Sequence, residues 1–353
     1  TEALHTDTRN MGAVGLVLTQ PVYMGGKIAV YNRITRYAEQ VAERQHDLAL
    51  QEVVVEVDEA YWQIVSLQSR KQLAESYLEL VRKLDSDVQQ MIHEGFATKA
   101  DGLSVKVKVN EAQVALIQVD NGLALSRMLL CQLCGLKTDT HVALADEKKD
   151  SGLPDPVPAD ADVQTAFDRR PELDMLSLSA DIHKEKIRLA RAGFLPTVAL
   201  TGGYMASNPS VFNSFERKMK GLWNVGVMVN IPLVTFGERA YKVKAARAEA
   251  TAALFRLEET REKVELQVNQ NRQKVQEAAE RLHTARRSCE EADENLRYAT
   301  LGLSEGVIPV SNVLEAQTAW LKSHAGHVAA QIDLRLANLY LLKSTGNLDI
   351  HTK

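Results

Sequence analysis

Apolar and polar residues alternate with period two in three stretches of this chain. The clearest puts Trp223, Val225, Val227, Val229 and Ile231 on one face and Asn224, Gly226, Met228 and Asn230 on the other. That is the pattern of a strand with one apolar and one polar face. From Thr197 to Tyr204, the residues Val198, Leu200 and Tyr204 oppose Thr197, Ala199 and Thr201. Near the start, Val14, Leu16 and Leu18 oppose Gly15 and Thr19. Everywhere else the spacing is helical. Ala285, Cys289, Ala292, Leu296, Ala299 and Leu303 follow a 4-3 rhythm, which is a coiled-coil seam. Leu73, Tyr77, Leu80, Leu84, Val88 and Met91 line a comparable stretch.

These elements recur at a fixed offset of 211 residues. Val14-Gly15 returns as Val225-Gly226, Pro21 as Pro232, Gly26 as Gly237, Gly95 as Gly306 and Gly135 as Gly346. The period is far longer than the roughly 20–50 residues of a solenoid unit, so a large unit has been duplicated. The first repeat covers 1–149, with a strand at about 12–20, a long helix at about 27–94 and a return helix at about 99–134. A Pro-rich linker occupies 150–159. The second repeat covers 160–353, with a helix at about 160–192 and strands at about 197–205 and 223–231. A long helix at about 238–304 and a return helix at about 311–343 complete it. Arg170-Pro171 interrupts the first of these helices, because proline cannot continue a helix undisturbed. Relative to the second repeat, the first lacks a helix and strand, so roughly 50–60 further residues and a targeting signal are expected upstream.

Helix length limits the architecture. At 1.5 Å per residue the long helices span roughly 100 Å, about twice the return helices. Such helices must pack side by side, within the chain and with other copies of it. Composition agrees: aromatics are only 5% and helix formers dominate. With 42 basic and 46 acidic residues, the net charge of -4 does not point to nucleic acid. No uninterrupted run approaches the roughly 18 apolar residues of a transmembrane helix, which says nothing about barrel strands. Cys131 and Cys134 have CxxC spacing but sit late in a helical pattern without a second pair, so they and Cys289 read as packing residues. There is no nucleophile–base pair, no enclosed carboxylate pair and no phosphate loop, so no enzyme, cofactor or metal site is expected.

Several junctions resemble those of the TolC-like outer-membrane efflux proteins. They are Phe194–Tyr204, Val225–Arg239, Leu16–Lys27 and the two hairpin tips, Gly95–Leu103 and Gly306–Ala316. The resemblance implies a mainly α fold with a small β part and an internal tandem repeat. Long antiparallel hairpins would form a trimeric α-barrel, joined to the strands of a shared transmembrane β-barrel. It implies a passive outer-membrane exit duct of a tripartite efflux or type I secretion system, extending into the periplasm. Small molecules or polypeptides would be carried. The partners would be a periplasmic adaptor, an inner-membrane pump and outer-membrane lipid. A periplasmic adaptor or scaffold coiled coil is the alternative, though it leaves the strand-Pro-Gly-helix junction in each repeat unexplained.

The resemblance also implies site residues. Gly95, Thr98, Gly306 and Pro309 would meet the adaptor at the tips. Glycine there also suits a turn needing positive φ. Asn312, Glu315 and Asp101 would form the constriction, with Asn312 replacing one of the two acidic residues frequent in the family. Asp101 matches a position that latches neighbouring hairpins, but its usual Tyr and Arg partners correspond to Leu303 and Ile308. Three copies of Glu315 would form an acidic ring, which favours cations. Trp223, Val225, Val227, Val229 and Ile231 would face lipid. Asn269, Gln270, Asn271 and Gln273 read as solvated helix surface, and His93 lies near a tip.

Overall fold

A computed structural model describes residues 11–147, 162–208, 218–234 and 236–348. The linker expected at 150–159 and the residues around Pro209 lie outside them. The element order is β1 (Gly12–Met24), α1 (Lys27–Glu94), α2 (Lys99–Leu133), α3 (Val163–Arg169), α4 (Pro171–Ala192), β2 (Thr197–Asn208), β3 (Lys220–Asn230), α5 (Glu238–Ser304) and α6 (Val310–Thr345). Two compact units share the long helices: residues 1–44 with 172–259, and 45–171 with 260–353.

The first unit contains an antiparallel sheet of order β1-β2-β3. Its register settles what alternation leaves open. Tyr204 pairs with both Leu16 and Trp223, Gly202 with Leu18 and Val225, and Leu200 with Val227. Directly paired residues share a face. The three apolar sets therefore merge into one surface. The opposite face carries Gly15, Thr19, Thr201, Gly203, Asn224 and Gly226. There the Thr201 hydroxyl donates to the Gly226 carbonyl at 3.2 Å. On the apolar face the Tyr204 ring lies over Gly221, in space a Cβ would need. Beside the sheet, the buried Glu185 carboxylate of α4 is held by Arg33 of α1 at 2.8 Å and by Arg188 at 2.6 Å.

The second unit is built from helix seams. α1 and α2 meet through Ala60, Ile64, Leu123 and Leu130, with Lys71 paired to Asp120 at 2.7 Å. α5 and α6 meet through Val275, Leu282, Ala330, Leu334 and Leu341. α1 also meets α6. The Arg335 guanidinium lies 4.3 Å from the Trp62 ring centroid, and the Tyr340 hydroxyl donates to Glu59. That bond, followed by burial, pushes the Tyr340 pKa up to about 12. At the tips all four helices share one core, which includes Tyr77, Val88, Val105, Leu303, Val313 and Ala316.

Local chemistry explains where elements depart from the sequence pattern. The helix expected at 160–192 is two helices. Arg170 is extended (φ -76°, ψ 122°) because Pro171 excludes helical backbone before it, and Pro171 then opens α4. β1 continues beyond Gln20 to Met24, passing Pro21 by a bulge that leaves Val22 unpaired. β3 begins at Lys220 and ends at Asn230, so Ile231 lies just past it. Asn271 is no solvated residue. It lies buried in the α5 seam, where its amide donates to the Tyr340 carbonyl at 3.3 Å.

Candidate functional site

Both hairpin tips are closed by the same hydrogen bonds. At the first, Gly95 (φ 85°) donates to Ile92 at 3.2 Å and Phe96 to Met91 at 2.8 Å. At the second, Gly306 (φ 70°) donates to Leu303 at 3.0 Å and Val307 to Gly302 at 2.8 Å. Each is a Schellman turn, and the two are offset by 211 residues. In such a turn the residue after the glycine usually packs back on its helix. Here it does not: Phe96 is 77% exposed and Val307 79%. Each tip thus presents one apolar side chain at its apex. These two residues escape a reading centred on the glycines, although their place after a helix-ending glycine marks them.

The two tips restart their helices differently. Thr98 caps α2 by accepting from the Asp101 N–H at 3.2 Å. Asp101 accepts in return from the Thr98 hydroxyl at 2.6 Å and its N–H at 2.9 Å. These bonds, the hydroxyl first, hold the Asp101 carboxyl below the usual range. A complete capping box therefore occupies the carboxylate that resemblance makes a latch. Pro309 caps α6 without a side-chain bond, and its carbonyl accepts from the Asn312 N–H at 3.1 Å. Ile308, at one of the two altered latch-partner positions, folds onto Gly302, where a Cβ would lie 2.5 Å from its Cδ1.

Asn312 and Glu315 are exposed on α6. Glu315 lines an open groove of about 380 Å³ with Lys108, Leu314, Thr318, Ala319 and Lys322. Lys108 is paired to Glu111 at 2.7 Å. Two ammonium groups thus flank the one carboxylate, and the groove is not the purely acidic feature that Glu315 alone suggests. Asp101 does not join Asn312 or Glu315 in any hydrogen bond found among the described residues.

Further along the second hairpin, Asp293 of α5 accepts from the Trp320 indole at 2.6 Å and contacts His324 Nε2 at 3.0 Å. This bracket ties α5 to α6 and has no counterpart in the first hairpin, where Arg82, Val109 and Gln113 stand at the equivalent positions. Cys131 is buried with its thiol on the Thr140 carbonyl at 3.4 Å, whereas Cys134 is exposed. Burial, followed by nearby Asp293 and Glu290, pushes the Cys289 thiol up.

On the sheet, Val14, Leu16, Trp223, Val225, Val227 and Val229 are 54–75% exposed. Below it the chain enters each long helix through two residues of positive φ. They are Gly25 (63°) and Gly26 (82°) in the first repeat, and Phe236 (44°) and Gly237 (84°) in the second. Phe236 is 97% exposed.

The sequence matches the outer membrane efflux protein family over residues 1–136 and 163–347. It is 23% identical over 345 residues to the outer membrane protein TolC of Vibrio cholerae, covering 95% of this chain and 77% of that protein. It is 25% identical over 321 residues to protein CyaE of Bordetella pertussis, covering 87% of this chain and 65% of that one. Among solved structures, the outer membrane protein VceC of Vibrio cholerae superposes with a TM-score of 0.77 at 16% identity. That match covers 96% of this chain and 86% of VceC.

Proposed function

The chain belongs to the outer membrane efflux protein family and is an exit duct of the outer membrane, and we propose that three copies form one passive conduit. The observation that supports this reading is the sheet. Three strands present one largely apolar face and, behind it, a mixed face on which Val17, Met205, Leu222 and Met228 stand among Gly, Thr and Asn. Among the described residues both outer edges, β1 and β3, are unpaired. Open edges are not tolerated in lipid, so closure requires more strands than these three. In a closed barrel the more apolar face, Trp223 to Val229, meets lipid, and the mixed face with its Gly, Thr and Asn lines the water-filled lumen.

The helical hairpins extend the conduit into the periplasm. Their tips are the docking points for a periplasmic adaptor, with Gly95, Thr98, Gly306 and Pro309 shaping two matched turns. Phe96 and Val307 supply the apolar contacts. Glu315 and Asn312 line the narrow end, and Asp101 acts by fixing the first tip. Export is driven by an inner-membrane pump, with efflux solutes or secreted polypeptides as cargo. Family membership and the sheet account for the strand-Pro-Gly-helix junction in each repeat, which the adaptor alternative leaves unexplained.

Mass measurement of the full protein in detergent tests the assembly. A trimer is expected. A stable, fully helical monomer would remove the shared barrel.

A further inference from the structure

The chain as a whole is slightly acidic, with a net charge of -4, yet the helix ends nearest the sheet are strongly basic. Residues 27–36 of α1 hold three basic residues and no acidic one. Residues 181–192 of α4 hold four basic and two acidic residues, and residues 238–247 of α5 hold four and one. Each of those acidic residues is already engaged. Glu185 is held by Arg33 and Arg188, Asp181 by Lys184 at 2.8 Å, and Glu238 by Lys242. The exposed Arg36, Arg191, Lys244 and Arg247 have no carboxylate partner among the described residues.

The three segments are neighbours. A Cβ on Gly25, before α1, would lie 2.9 Å from the Leu195 Cβ just past α4. One on Gly193 would lie 4.0 Å from Cδ of Arg239 in α5. Further from the sheet, His183 Nδ1 of α4 lies 3.7 Å from Glu249 of α5. α4 therefore stands between α1 and α5, and the basic groups form one band. At 1.5 Å per residue the band extends about 15 Å from the strands. Arg33 and Arg36 recur as Lys244 and Arg247 at the offset of 211, so both repeats carry it. Aromatic residues share the level: Tyr31, Phe194, Phe236 and Tyr241 are 49–97% exposed. The Lys244 ammonium lies 5.5 Å from the Tyr241 ring centroid.

We propose that this basic band binds the phosphate groups of anionic phospholipids in the periplasmic leaflet of the outer membrane. This rests on the reading of the sheet as the wall of a membrane barrel, and it names the lipid selected at the barrel's periplasmic rim. The polar layer of a bilayer extends roughly 5–8 Å beyond the hydrocarbon on each side. Exposed aromatic residues mark that boundary in barrels, and the band begins where they stand. Lys and Arg lay their apolar stems along the surface and place their charged ends among the headgroups. Their attraction acts over a Debye length of about 8 Å. Like charges on adjacent helices repel one another unless a counter-charge is supplied. A zwitterionic headgroup supplies no net charge. An anionic one does, and each basic residue near an anionic surface adds several-fold to the affinity.

Lipid retention tests the band. The full protein in detergent is incubated with equal amounts of phosphatidylglycerol and phosphatidylcholine of one chain length, and bound lipid is counted by native mass spectrometry. Phosphatidylglycerol should be retained several-fold over phosphatidylcholine. Combining Arg36→Gln, Arg191→Gln and Lys244→Gln, one from each helix, should bring the two lipids close to parity. Combining Lys83→Gln, Lys274→Gln and Arg287→Gln removes the same charge from the other unit and should leave the preference intact. Raising the ammonium acetate concentration should shrink the preference of the unaltered protein, a measurement that needs no variant. Equal retention of both lipids by the unaltered protein would overturn the proposal, as would a preference indifferent to salt or reduced alike by both triple variants. A first triple variant that keeps the lipid preference but shifts the reversal potential across planar bilayers would also overturn it, by placing the band in the lumen. A protein that retains neither lipid would instead remove the membrane reading of the sheet.

Discussion

Phe236 shows how a single residue reports on function through strain. The repeat puts it where the first copy has Gly25, and it keeps the positive φ that only glycine adopts freely. At Gly25 a side chain is also excluded by space, since a Cβ would sit 2.7 Å from the Ala192 carbonyl. The second copy has room, and it carries a fully exposed aromatic at the strand-to-helix junction, the level at which aromatic girdles mark barrel interfaces. Strain of this kind persists where a site requires it. Phe236→Gly should therefore stabilise the protein by about 1–2 kcal/mol, read as a raised midpoint in thermal unfolding. It should also weaken association with lipid. A lowered midpoint would show that the ring is held by packing rather than tolerated for its exposure. Residue-level roles of this sort were only partly legible in the sequence. Thr98-x-x-Asp101 is a capping signature that a reading by resemblance passes over in favour of a latch. The apex residues Phe96 and Val307 look like ordinary turn neighbours until their exposure is seen.

Elements were legible wherever a local rule delimits them. Gly26 and Gly95 bracket α1, and Gly237 and Gly306 bracket α5, because positive φ begins or ends a helix whatever surrounds it. The sheet was legible only strand by strand. Alternation gives each strand two faces but not which faces coincide, since register depends on partners far away in sequence. The bulge after Pro21 escaped for the same reason: it is defined by a neighbour. With the register known, the face assignment becomes a sharp comparison. Val227, paired with Leu200, belongs to the apolar surface, and Asn230, paired with Thr197, to the other. Val227→Arg should cost about 2–4 kcal/mol of stability in the membrane if it lies near the midplane. Asn230→Arg, facing water, should cost far less. Equal losses in bilayer unfolding measurements would show that the face assignment is wrong.

At the scale of the whole molecule, the proposed place of Glu315 at the narrow end of the duct can be tested through the charges of its groove. A ring of carboxylates alone would favour cations. In this chain each Glu315 shares its groove with Lys322 and Lys108, and among the described residues Lys108 has a carboxylate partner of its own, Glu111. Charges within a Debye length of about 8 Å act together on a passing ion, so three copies would set three Glu315–Lys322 combinations around the lumen. The intact duct should then be nearly unselective. Glu315→Gln removes the carboxylate beside Lys322 and should shift the preference several-fold towards anions. Lys322→Gln should shift it by a similar factor towards cations, and Asn312→Asp should move it the same way by restoring a second carboxylate. Reversal potentials across planar bilayers with a salt gradient measure all three, and high salt should shrink each shift by screening. Opposite displacements in Glu315→Gln and Lys322→Gln place the groove on the ion path. Unchanged potentials in both would place it on the outer surface of the hairpins, and the constriction would have to be formed by other residues.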